Sequence, residues 1–328
     1  MLSLIIPIYK NEENLPRLLS VLTDMNQQLQ RQLEVVFVVD GSPDRCEAIL
    51  STALLGLPLR SRLVSLSRNF GSFVAITAGL HMASGDYFAV MAADLQEPPE
   101  LILQAADALL NGEVDVVFGC RRQRADPWLS ELSSNAFWYI FRRFVVKDIP
   151  KGGVDVFACT RQVRDRLLEF REANTNVIAL LFWLGFRRKF ITYERLPRKE
   201  GKSAWTLAKK IQYCLDSIFN FTDLPIRLLL YVGVLGIVLA TFCSTTVLIA
   251  KFLGRIPVPG YTPIVLAIMF FGALTSLAFG ILGQYLWLSL QNSRGRPLFV
   301  IAGWQDFFPG ASSGVLSGEH ATRAAEIE

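Results

Sequence analysis

The chain reads as an α/β protein: a mostly parallel sheet with helices on both faces, followed by two C-terminal transmembrane helices. Three observations predict this. Short apolar strands alternate with helical segments between Leu2 and Gly119, the pattern of a parallel sheet built from crossover units. Residues 226–250 hold one charge, Arg227, and residues 261–290 hold none; each run exceeds the roughly 20 helical residues that cross a bilayer. The 328-residue chain is 52% hydrophobic with a mean hydropathy of +0.35, too apolar for a purely soluble domain, and the excess lies in those two runs.

Leu2–Ile8 and Glu34–Val39 read as strands, with a helix over 11–32 between them, because Leu15, Leu18, Leu19, Leu22 and Leu29 recur at helical spacing. Arg62–Leu66, Asp86–Met91 and Asp115–Gly119 read as further strands, separated by helices at about 72–83 and 97–111. Residues 128–146 mix Trp128, Trp138 and Tyr139 with Arg142 and Arg143. This suits an interfacial helix on a bilayer, a core helix being the alternative. The expected organisation is a cytosolic domain over 1–200, a juxtamembrane amphipathic segment over 201–224, a transmembrane hairpin over 225–292 and a cytosolic tail over 293–328. From residue 310 the tail is small and polar, without periodicity, and is expected to be disordered.

The apolar stretch Leu2–Ile6 is too short for a signal peptide, and Lys10, Glu12 and Glu13 follow at once, so the first two hundred residues are expected in the cytosol. Five cysteines without CxxC spacing and two histidines argue against zinc and for reduced thiols. The net charge is +4, with basic clusters at 121–124, 142–147, 187–189 and 195–210. Near a membrane these point to lipid headgroups or a phosphate ligand rather than nucleic acid.

Four short motifs fall on strand ends. Pro7-Ile8-Tyr9-Lys10-Asn11-Glu12 closes the first strand and Val39-Asp40-Gly41-Ser42-Pro43-Asp44 the second. Arg68-Asn69-Phe70-Gly71 follows the third, and Asp94-Leu95-Gln96 closes the fourth. Each alone is ordinary turn chemistry. The alternation puts all four on the carboxyl edge of one sheet, where they form a nucleotide pocket. The apolar run Tyr87–Ala93 delivers Asp94 to that edge, and a hard oxygen ligand there suits Mg²⁺ or Mn²⁺ holding a diphosphate. The alternative is a turn in which Asp94 or Glu97 caps the next helix.

With Gly85-Asp86, the run Asp94 to Glu100 and Gly201-Lys202-Ser203-x-Trp205, these motifs make the chain resemble the family 2 glycosyltransferases of GT-A fold. The resemblance is to the polyisoprenyl-phosphate glycosyltransferases, which include dolichol-phosphate mannose synthases and bactoprenol glucosyltransferases. It spans roughly residues 1–300. It implies inverting transfer of a sugar from a nucleotide-diphosphate sugar, UDP favoured, to a polyprenyl phosphate such as undecaprenyl phosphate. The enzyme would be a multi-pass protein of the bacterial inner membrane with a cytosolic catalytic domain.

By the same resemblance Pro7, Tyr9, Glu12, Asp40 and Asn69 line the nucleotide-sugar pocket, with Arg198, Lys202 and Ser203 on a loop that closes over the donor. Asp94 and Gln96 hold the divalent cation, Asp155 lies near the acceptor and Arg121 faces the lipid phosphate. Two positions depart from the family's pattern: Ala92 stands where an Asp usually precedes the metal Asp, and Val39 where a second-strand Asp is common. The rivals are a processive polysaccharide synthase, whose Gln-x-x-Arg-Trp motif is absent, and a catalytically degenerate membrane scaffold. Gly272, Gly280 and Gly283 offer small surfaces for self-association in the membrane.

Overall fold

The computed structural model describes residues 1–121, 149–150, 153–170, 172, 176–196, 224–253, 261–309 and 316–319. The interfacial helix expected at 128–146 and the loop carrying Arg198, Lys202 and Ser203 lie outside these residues. The chain divides into two units, Met1–Lys210 with Pro297–Glu328, and Ile211–Arg296.

The first unit is built on a nine-stranded sheet. Its strands are β1 (Leu2–Ile8), β2 (Leu33–Val39), β3 (Arg60–Leu66), β4 (Tyr87–Val90), β5 (Val116–Arg121), β6 (Val154–Thr160), β7 (Arg188–Tyr193), β8 (Ile301–Phe307) and β9 (Leu316–Glu319), in the order β7-β5-β6-β4-β1-β2-β3-β8-β9. The central strands β3-β2-β1-β4 are mutually parallel, as the alternation predicts. The flanks make the sheet mixed. β6 runs antiparallel to both β4 and β5, β7 runs parallel to β5, and β8 and β9 are antiparallel additions beyond β3.

β1 and β2 are apolar at nearly every position because both of their faces are covered. Leu4, Ile6, Ile8, Val35, Phe37 and Val39 share one core with α1 (Leu15–Gln28), α2 (Cys46–Ala53) and α4 (Pro99–Leu110). Leu15, Leu18, Leu22 and Met25 of α1 are at most 1% exposed, and each contributes roughly 1.5–3 kcal/mol by leaving water. The alternate residues of the strands meet α3 (Ser72–Met82) on the other face. A Cβ at Gly79 would lie 2.4 Å from Ile5 Cγ2 and 3.0 Å from Val38 Cγ2, so the helix packs this close only because position 79 has no side chain. α5 (Arg161–Leu168) and α6 (Val177–Trp183) follow β6. Asn176 caps α6, its Oδ1 accepting the Ile178 N–H at 3.0 Å.

At the amino edge of the parallel strands, the buried Glu34 carboxylate accepts from Ser3 Oγ at 2.5 Å, from the Ser84 N–H at 2.8 Å and from the Ser84 hydroxyl. Arg60 lies 3.5 Å away. Burial pushes the Glu34 carboxyl up, but those hydrogen bonds and the Arg60 charge outweigh it and hold the group below the usual carboxylate range. A depressed carboxyl contributes stability that is complete above its unfolded value, near 4.5, and is lost as pH falls through the lower folded value. Urea unfolding of wild type and Glu34→Gln at pH 7 and pH 3.5 is expected to show a large gap at pH 7 that narrows at pH 3.5. An equal gap at both would refute the assignment.

The sequence predicts a tail over 293–328, disordered from residue 310. β8 instead completes the sheet beside β3, and β9, within that polar stretch, pairs with β8. The cause is non-local. Arg62 and Asp306 are register partners, and the guanidinium donates to both carboxylate oxygens, at 2.5 and 2.8 Å. Arg62 also donates to the Met82 carbonyl and lies over the Trp304 ring, 5.4 Å from its centroid.

The second unit holds two long helices, α7 (Leu224–Phe252) and α8 (Tyr261–Ser293). At 29 and 33 residues, they extend about 43 and 50 Å at 1.5 Å per residue. Large apolar side chains stand exposed along both, among them Tyr231, Phe242, Phe279 and Leu286. Among the described residues one stretch, Phe270–Ser293, is long and apolar enough to cross a membrane.

Candidate active site

The strand-end motifs converge on the carboxyl edge of the parallel strands. The turn after β1 is left-handed at Lys10 (φ 55°), whose N–H donates to Ser42 Oγ at 2.8 Å. The Glu12 N–H donates to Asp44 Oδ2 at 3.3 Å, and the Glu12 carboxylate accepts the Arg45 N–H at 3.0 Å. The ends of β1 and β2 are thereby laced together, and a cleft of about 360 Å³ opens between Lys10–Asn14 and Pro43–Asp44. Pro7 and Tyr9, both partly exposed, precede it in the chain.

Asp40 is 2% exposed. Its Oδ1 accepts the Phe70 N–H at 2.7 Å and its Oδ2 the Gly71 N–H at 2.8 Å, while Asn69 Nδ2 donates to the Asp40 carbonyl at 3.2 Å. Burial raises the Asp40 carboxyl above its usual value, although both amides and the Arg68 charge oppose the shift. Asp40 and Asn69 thus lock the β2 turn to the loop that opens α3. The lock needs Gly41: its φ is +56°, and a Cβ there would lie 2.3 Å from the Arg68 carbonyl carbon.

Asp94 follows β4 in a tight turn with Leu95 left-handed (φ 51°). Asp94 Oδ1 accepts the Gln96 N–H at 3.3 Å, and the buried Glu97 accepts the Ala92 N–H at 3.3 Å. Gln96 in turn is clipped to the chain leaving β7. The Leu196 N–H donates to the Gln96 carbonyl at 2.9 Å, Gln96 Nε2 donates to the Leu196 carbonyl at 3.5 Å, and Arg195 Nη2 donates to Gln96 Oε1. Arg195 was not among the candidates read from sequence. Its signal was its place in the basic run 195–210, but the partner is 99 residues away.

Arg121 ends β5 opposite Tyr193. The register of β5 on β6 pairs Gly119 with Val156 and Cys120 with Val154, so Asp155 is the extra residue of a β-bulge. Continuing the antiparallel register of β4 on β6 brings Asp155 to the edge where β4 ends, the Asp94 edge. The fold therefore gathers Pro7, Tyr9, Glu12, Asp40, Asn69, Asp94, Gln96, Arg121 and Asp155 on one side of the sheet.

The donor set for a divalent cation is sparse. Position 92 carries no ligand, Gln96 Oε1 is occupied by Arg195, and the described residues contain no group of three His, Cys, Asp or Glu that could hold a metal ion. Asp94 supplies the only carboxylate of the expected pair. The pair Asp94 and Gln96 does not fit a cation in this arrangement.

A mixed α/β sheet with its polar motifs on one carboxyl edge defines a ligand site at that edge. Residues 3–170 match Glycosyl transferase family 2, and the chain belongs to that family; it is a glycosyltransferase with a GT-A-like fold. It is similar to the uncharacterized glycosyltransferase sll0501 of Synechocystis sp., 31% identical over 303 residues, 92% of this chain and 94% of the relative. It is similar also to the bactoprenol glucosyl transferase of Shigella phage SfV, 28% identical over 301 residues, 92% and 97% of the two chains. The prophage bactoprenol glucosyl transferase homolog of Escherichia coli (strain K12) is 26% identical over 301 residues, 92% and 98% of the two chains.

Proposed function

We propose that the enzyme transfers a sugar, with inversion, from a nucleotide-diphosphate sugar to a polyprenyl phosphate at the cytosolic face of a bacterial inner membrane. The observation that carries this reading is the extent of the similarity. The alignments with bactoprenol glucosyl transferases cover 92% of the chain, far past the family 2 region that ends at residue 170. They therefore include most of the helical unit. In this reading α7 and α8 are two membrane spans, which accounts for the apolar side chains they expose. The acceptor stays in the bilayer, so anchoring the site beside it replaces a three-dimensional search with a two-dimensional one.

The nucleophile is an acceptor phosphate oxygen. A phosphate monoester with a second pKa of about 6 is largely dianionic at pH 7, so it needs little help from a general base. Asp155 then orients the acceptor or a sugar hydroxyl. The main obstacle is the approach of two anions, which Arg121, at the end of β5, offsets. Direct displacement by one nucleophile inverts the anomeric carbon. A retaining route needs a second carboxylate about 5–5.5 Å from the first. The Asp40 lock shapes the nucleotide end of the pocket, and Arg198, Lys202 and Ser203, outside the described residues, are assigned to donor binding by the resemblance alone.

The test is direct. Purified full-length protein in detergent is given undecaprenyl phosphate, Mg²⁺ or Mn²⁺ and a panel of nucleotide sugars. The products are followed by glycolipid mass spectrometry and nucleoside diphosphate release. A glycolipid from one donor supports the reading and names the sugar. No product across the panel, with an active control enzyme alongside, overturns it.

A further inference from the structure

We propose that Arg195, held by Gln96, binds the donor diphosphate and supplies the positive charge at the Asp94–Gln96 turn. This rests on the nucleotide-sugar reading above. Four observations lead to it. Arg195 is fixed at the turn: its Nη2 donates to Gln96 Oε1, and the next residue, Leu196, is bonded to Gln96 through two more hydrogen bonds. Its anchor is a neutral amide, and among the described residues no carboxylate forms an ion pair with it. Its Nε is buried without a hydrogen-bond partner, so the side chain keeps donor capacity that its neighbours do not meet. Finally, Ala92 and the Arg195-bound Gln96 leave Asp94 alone as the ligand of a divalent cation there.

A guanidinium is a planar fork of donors matched to pairs of phosphate oxygens, and it is charged at any physiological pH. At this turn it neutralises the diphosphate as the glycosyl–oxygen bond breaks and the electron pair departs with the leaving group. Gln96 is a positioning residue: it spends its side-chain oxygen on aiming Arg195.

Calorimetric binding to the full-length protein in detergent with EDTA tests this, using UDP, GDP, ADP, CDP and dTDP and then the nucleoside matching the tightest diphosphate. Wild type is expected to bind one diphosphate without a metal. Arg195→Gln is expected to weaken that diphosphate roughly 10- to 100-fold and to leave the nucleoside unchanged. Equal diphosphate affinity in Arg195→Gln overturns the proposal, as does wild-type binding that appears only with Mn²⁺. Should Arg195→Gln lose the nucleoside as well, Arg195→Lys decides, because it keeps the charge and loses the fork. Normal nucleoside affinity with weakened diphosphate supports the proposal, and wild-type affinity for both overturns it. A wild-type protein that binds none of the five, even with Mn²⁺, removes the nucleotide-sugar reading itself and this proposal with it.

Discussion

Asp94→Asn is expected to leave the protein folded and to lower sugar transfer by about 100-fold, the loss that follows when a carboxylate that orients a donor hydroxyl at the reacting centre is removed. The substitution isolates the charge. Asn keeps an oxygen that can accept the Gln96 N–H, the bond that Asp94 Oδ1 makes at 3.3 Å, so the turn and the aim of Arg195 persist. What disappears is the negative charge of the Asp94 carboxylate at the end of β4. Glycolipid formation at saturating donor, measured beside thermal unfolding, separates the two effects. Transfer within tenfold of wild type in a normally folded Asp94→Asn would show that the carboxylate at this edge is not part of the chemistry.

The largest expected loss of stability comes from Arg62→Ala or Asp306→Ala. The two side chains form a bidentate pair, with Asp306 6% exposed, and removing either partner strands the other charge in the sheet. A broken buried pair costs about 3–5 kcal/mol, enough to detach β8 from β3. Urea unfolding followed by Trp304 fluorescence measures the loss. The paired change Arg62→Met with Asp306→Leu is expected to recover most of it, because no charge is then left unpaired. Similar stability for the single and paired variants would mean that backbone pairing alone holds the strand.

Both experiments concern contacts that the sequence revealed to different degrees. The four parallel strands were legible because burial on both faces writes an uninterrupted apolar run, as in Leu2–Ile8 and Leu33–Val39. Their turns were legible because Gly41 and Gly71 punctuate them at left-handed angles. β8 was not: Ile301–Phe307 contains Gly303, Gln305 and Asp306, and becomes a strand because Arg62 waits 244 residues upstream. β6, which the sequence pattern did not announce, and its antiparallel direction were hidden for the same reason, since pairing and strand direction are decided by neighbours and not by local composition.

In the site, Asp94 was visible as the end of an apolar run. The engagement of Gln96 was not, because a glutamine after an aspartate looks the same whether its oxygen faces solvent or a guanidinium. A contact that non-local leaves no periodic trace in sequence. Asp40 was identified as a pocket residue, and the structure adds that both of its oxygens are spent on the Phe70 and Gly71 amides.

The return of the chain through β8 sets an order of events during synthesis. Residues 301–307 leave the ribosome only after α7 and α8, yet they supply the neighbour of β3. Until then β3 presents an open edge of unpaired amides and carbonyls, and Arg62 lacks the bidentate partner that Asp306 provides. The nascent sheet therefore passes the whole period of helix synthesis as an unfinished template, exposed to pairing with other chains. A ribosome that stalls within α8 leaves behind a protein with every strand-end motif in place and its sheet still unsealed.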